Sequence, residues 1–263
     1  MSVQDTLDRY VIRERGGGIQ PERTHVVSLY DTACTGLQPW LSKGFRCYAY
    51  VHSEQPDAAA MAVINGVTVR TVDLTLADTV AEIRDRHAAH VAFAYAAPPS
   101  RDLSYAGMRW WARKSQINPL FQSAALQTFH DTRHLLEAWG CPFFVSMPGN
   151  CLVTRLWRSA DHLFHPYEFG GYLGDENHPN FPGITPRRDA YAQRHGLWVG
   201  GGLRMPDRRP VVPVWVRKRR KGVWVGSRRA WRRASPMCEW KARYARKALP
   251  RGFATALCAR LVG

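Results

Sequence analysis

The part of this chain best suited to chemistry is a proline pair that runs into three polar side chains, Pro98-Pro99-Ser100-Arg101-Asp102. A serine hydroxyl attacks only when a base takes its proton. No base is adjacent in sequence, so His130, His134 or His165 would have to approach Ser100 in space. His130 and His134 also stand at i, i+4 with Glu137 one turn on, a spacing that can hold zinc but that a solvated helix face explains better. The six cysteines contain no C-x-x-C pair, so neither a zinc ribbon nor a thioredoxin-like site is expected, and no metal is assigned.

Charge supplies a second kind of chemistry. Residues 1–186 carry 16 basic and 18 acidic side chains, whereas residues 187–263 carry 21 basic and 3 acidic, so the whole excess of +16 sits in the last part of the chain. It concentrates in Arg217-Lys218-Arg219-Arg220-Lys221, Arg228-Arg229 and Arg232-Arg233, followed by Lys241, Arg243, Arg246 and Lys247. That density suits a polyanion, most simply the phosphates of double-stranded DNA. Trp215, Trp224, Trp231 and Trp240 are interleaved with it and could stack on bases or clamp the tract to the body. The competing reading is a solvated basic tail.

The elements that must position these groups alternate. His25 to Tyr30 reads as a buried strand, Asp31 to Gly36 as a turn, and Leu37 to Lys43 as a short helix ended by Gly44. Strands follow at Phe45 to Val51, Val67 to Leu74 and Val91 to Ala96, with a helix from Leu76 to His90. Asn118-Pro119 opens a core-facing helix that runs to Gly140, and Phe143 to Val145 is another strand. Trp157 to Val199 reads as ordered but irregular. The alternation predicts an α/β protein with a parallel sheet: a lead-in over 1–24, a core over 25–186, and a basic region over 187–263 that completes the domain. No apolar run approaches a membrane span, and the polar start MSVQDTLDRYVIRERGGG does not read as a secretory signal, so a cytoplasmic protein with reduced thiols is expected.

Several short strings, taken in order, carry a resemblance. They are Leu29-Tyr30-Asp31 with Gly36 and Pro39-Trp40, Ala97 to Ser104, Gly107-Met108-Arg109-Trp110-Trp111, Gly140 to Phe144, Phe164 to Tyr172, Asp189-Ala190-Tyr191, Leu197-Trp198 and Pro250-Arg251-Gly252-Phe253. Over roughly residues 25 to 258 the chain resembles the phage-encoded relatives of DNA cytosine-5 methyltransferases. The resemblance implies a Rossmann-like methyltransferase fold, S-adenosylmethionine as cofactor, and a pyrimidine flipped out of the duplex. Asp31 and Gly36 of the first turn, Asp73 as an acceptor for the adenine amine, and Pro98 become the expected cofactor contacts. Ser100, Arg101 and Asp102 become the expected catalytic cluster in the host cytoplasm.

The departures from that family redirect the expected reaction. Ser100 stands where the family has the cysteine whose thiolate adds to C6 of the base. Ser146-Met147 stands where it has a Glu-Asn pair, and no ribose-binding acid follows Val51-His52 directly, although Glu54 is close. The missing aromatic after Pro98-Pro99 also weakens a comparison with enzymes that methylate exocyclic amines. These changes point to a DNA-modifying transferase with altered chemistry, acting on a flipped and already modified pyrimidine. The alternatives are a non-catalytic DNA-binding relative and an ordinary S-adenosylmethionine-dependent DNA methyltransferase.

Overall fold

The computed structural model describes residues 19–53, 66–214, 245 and 247–263, and the backbone of two further strands at 216–220 and 223–227. In chain order the elements are β1 (His25–Leu29), α1 (Gln38–Leu41), β2 (Arg46–His52), β3 (Val67–Val72), α2 (Ala77–His87), β4 (Val91–Ala96), α3 (Trp111–Ile117), α4 (Phe121–Ala138), β5 (Phe143–Pro148), α5 (Val153–Leu156), β6 (His162–Phe164), β7 (His195–Gly200), β8 (Val216–Arg220), β9 (Val223–Ser227) and α6 (Arg251–Val262). The first seven strands form one sheet in the order β3-β2-β1-β4-β5-β7-β6. Strands β1 to β5 pair in parallel, and β7 runs antiparallel between β5 and β6.

Side chains on a strand alternate between faces, and that period sorts the core. Phe144 and Leu197 point to one face with Val26, Ala49, Phe93 and Tyr95, where α6 and Trp40 cover them. Phe143, Val145 and Trp198 point to the other, beside Phe129, Leu135 and Leu136 of α4 and Ile83 of α2. Aromatic contacts lock the first face: Trp40 stacks on Phe93 at 4.8 Å, and Phe253 of α6 stacks on Phe164 at 4.4 Å. The sheet is therefore buried on both sides, which explains why β4 reads as an unbroken apolar run with every residue buried.

Two expectations shift. Helix α4 begins at Phe121, because Asn118 caps from further out, its Oδ1 accepting from Leu120 N at 2.9 Å. The stretch read as irregular contains β6 and β7, and the basic region contains an apolar helix, α6, with Phe253, Leu257 and Leu261 buried. Arg217, Lys218, Arg219 and Arg220 lie on β8, which pairs with β9 in register Arg217↔Gly226 to Arg219↔Trp224. Lys221, Arg228, Arg229, Arg232 and Arg233 lie outside the described residues. Among the described residues, no helix is long and apolar enough to cross a membrane.

Candidate functional site

Open parallel sheets bind ligands outside the carboxyl ends of their strands, at the point where the strand order reverses. Here that point lies between β1 and β4, and the chain leaving β4 is Ala97-Pro98-Pro99-Ser100. Proline cannot donate to a ladder, so the strand stops and the backbone turns over the sheet's end. The turn is pinned: Ser100 O accepts from Leu103 N and Ser104 N, at 3.2 and 2.7 Å, and Leu103 is sunk in the core. Gly107 permits the next bend, since a Cβ there would meet the Arg101 carbonyl at 2.0 Å.

Beneath this turn lies a cleft of about 80 Å³. Pro98, Pro99 and Ser100 form one wall and Ser146, Met147 and Pro148 at the end of β5 another. Tyr30 closes the side toward β1, and Gln193, His195 and Lys247 complete it. The Ser100 and Ser146-Met147 positions, 46 residues apart in sequence for the two serines, thus meet in one place. Arg101 is exposed, and Asp102 is held by Lys114, whose ammonium lies 2.5 and 2.8 Å from its two carboxylate oxygens. Neither Arg101 nor Asp102 lines the cleft. A larger open groove of about 830 Å³ runs between Thr185–Arg188 and Pro210–Val214. Its Arg187 is occupied by Asp175 and Asn177, so its walls offer less unassigned chemistry than the smaller cleft.

His195 escaped the sequence reading, and Lys247 entered it only as part of the basic tract, since 95 and 147 positions separate them from Ser100. The strings that could have found them were the family-like Leu197-Trp198 and the end of the basic tract. His130 instead packs on Trp157, with ring centroids 4.9 Å apart, while His134 is exposed and Glu137 pairs with Arg133. His165 stands beside His195. Among the described residues, no three of His, Cys, Asp and Glu gather as a metal-ligand group.

Electrostatics distinguishes the groups. Burial lowers the His195 imidazole to about 4, with His165 adding to the shift, so its ring is neutral at neutral pH. Burial pushes the Tyr30 phenol up to about 12. All five described cysteines are buried, and burial raises each thiol, Cys47 and Cys141 to about 12 and Cys258 to about 11. None of these five supplies a thiolate at neutral pH.

His195 has two counterparts among the buried rings. Burial lowers His87 to about 4 and His178 to about 3, against an unfolded value near 6.5. Between pH 6.5 and 4 the unfolded chain takes up protons that these three rings refuse in the folded state. Stability is complete above that window and is withdrawn as pH falls through it, by about 1.4 kcal/mol per pH unit for each ring. Asp31 and Asp189, whose carboxyls burial raises, oppose the slope toward its acid end. Urea unfolding at pH 7, 6 and 5 should show falling midpoints; a flat series would contradict the neutral assignment of the three histidines.

The expected cofactor contacts lie close by but are engaged by the protein itself. Asp31 Oδ1 accepts from Ala33 N at 3.0 Å and Cys34 N at 3.2 Å, and Tyr95 donates to Oδ2 at 2.6 Å. A Cβ on Gly36 would meet Tyr95 Oη at 2.6 Å and Leu249 Cδ2 at 2.7 Å, so the missing side chain admits the chain's own packing. Every residue from Asp31 to Leu37 is buried. Asp73 caps Thr75 through Oδ1 and lies 3.6 Å from His52 Nδ1, its side chain 39% exposed. The turn therefore does not fit S-adenosylmethionine: its carboxylate is satisfied and its glycine is covered. Compared with protein-family models and with curated proteins, the chain has no match.

Proposed function

We propose that the protein is a DNA-modifying transferase acting on a pyrimidine turned out of the duplex, of the cytosine-5-methyltransferase-like kind but with different chemistry. The observation that carries this reading is the meeting of Pro98-Pro99-Ser100 with Ser146-Met147 in one cleft at the carboxyl ends of the strands. The first five strands follow the doubly wound order 3-2-1-4-5, which supports a Rossmann-like scaffold. Within the cleft, Ser100, Ser146 and Gln193 offer hydrogen bonds to a base edge. His195 presents a neutral ring that burial makes a poor proton acceptor, and Lys247 brings positive charge. None of the described cysteines lines the cleft, so among the described residues Ser100 stands alone where the family's attacking thiol would be.

The surface beside the cleft suits nucleic acid. Helix α3 buries none of its residues. Before it, Met108 and Trp110 are 56% and 46% exposed, and the Arg109 guanidinium sits 5.0 Å over the Trp110 ring. An exposed indole under a cation, flanked by Arg101 and Arg113, can stack on a base and hold its phosphate. A second reading, a DNA-binding relative without catalysis, is favoured by the covered turn at Asp31 to Leu37.

Mass spectrometry of nucleosides from duplex DNA treated with the protein in cell extract separates the two. The transferase yields a pyrimidine of increased mass, and Ser100→Ala cuts that yield roughly 100-fold or more while DNA affinity persists. Unmodified bases throughout would favour the binding protein, and full activity in Ser100→Ala would remove Ser100 from the reaction.

A further inference from the structure

The segment just before α6 faces two ways. Ala245 and Ala248 pack with Phe181 against Ala33 in a small buried cluster, and Leu249 joins the main core beside Cys34 and Leu37. Leu249 O accepts from Thr35 Oγ1 at 3.2 Å, and Asn180 Nδ2 donates to Ala33 O at 3.3 Å. The intervening Lys247 is exposed and lines the Ser100 cleft. The inward residues of this strap thus seal the turn after β1, which is where a doubly wound sheet admits a nucleotide-type ligand.

We propose that a strap formed by Ala245 and residues 247–249, together with Phe181, fills the nucleotide crevice as part of the core, and that the strap's task is to position Lys247 in the cleft. The protein then works without an adenosyl cofactor at Asp31 to Gly36. Lys247 supplies an ammonium for a phosphate oxygen of the nucleotide held beside Ser100. The second half of this proposal rests on the cleft being the nucleotide site; the first does not. Such packing is set by volume, because the small Ala33, Ala245 and Ala248 make room for Phe181, with Ile184 packed against them.

Two measurements on the full chain test it. Thermal unfolding and amide hydrogen exchange are followed with S-adenosylmethionine and, separately, S-adenosylhomocysteine. Neither should raise the melting temperature or add protection at residues 31–37; a saturable rise with either overturns the filled crevice. Affinity for a short single-stranded oligodeoxynucleotide is then compared among variants. Lys247→Ala should weaken it about tenfold at an unchanged melting temperature, and Lys247→Arg should recover most of the loss. Ala248→Phe should lower the melting temperature and weaken the oligonucleotide as Lys247→Ala does. Where that variant does not fold, Ala248→Ser should show both effects in smaller degree. If the Ala248 variants melt and bind like wild type, the strap does not position Lys247. Wild-type protein that ignores the oligonucleotide but also ignores both cofactors would defeat the DNA reading and leave the filled crevice standing.

Discussion

Raising salt from 50 to 200 mM should weaken duplex binding by roughly 1,000- to 100,000-fold, the loss expected when six to ten phosphates are neutralised. The 21 basic side chains after residue 186 can meet that number, with nine of them in the runs 217–221, 228–229 and 232–233. Binding releases one condensed counterion for nearly every phosphate paired, and salt opposes the release. Each Arg or Lys of those runs replaced by Gln should flatten the logarithmic salt slope by about 0.9. Fluorescence anisotropy with a labelled duplex reads both effects. A slope of one or two would mean that the tract is a solvated tail and would take with it the main argument for DNA.

Asp31→Ala should cost about 3–5 kcal/mol of folding stability, at about 1–3 kcal/mol for each buried hydrogen-bonding group left unsatisfied. Three donors, Ala33 N, Cys34 N and Tyr95 Oη, lose their acceptor, and each is buried where water cannot replace it. That is a large share of the 5–15 kcal/mol that holds an ordinary domain together. Tyr95→Phe, which frees only Oδ2, should cost about 1–3 kcal/mol. Denaturant titration measures both losses. If Asp31→Ala were as stable as wild type, the carboxylate would have a role other than the one its hydrogen bonds describe, and a ligand contact would again be the better account.

Asp31 also shows how far the sequence can be read. An acid followed by small residues after a buried strand marks the turn correctly, but nothing in that string tells whether its backbone meets a ligand or the rest of the chain. The answer lies in Leu249, more than 200 residues on. Strand β4 is legible to the residue because every side chain is apolar and Pro98 follows closely. Strands β6 and β7 are not: three residues in the first and two glycines in the second give weak local preference, and they become strands through pairing with each other and with β5. Helix α6 did leave a signal, an alanine- and leucine-rich run with few charges, but the surrounding arginines masked it. In the site, Ser100 is legible through the prolines that stop its strand. His195, Gln193 and Lys247 reach it only through tertiary structure.

The insertion of β7 between β5 and β6 also orders events during synthesis. Until residue 200 leaves the ribosome, β5 has no partner on one side, and Phe143-Phe144-Val145 presents an apolar edge ready to join another nascent chain. Residues up to 250 must follow before the strap can close over the first turn. Competence therefore arrives last: a chain stopped between residues 200 and 245 has β5 paired on both sides but lacks the strap, Lys247 and α6.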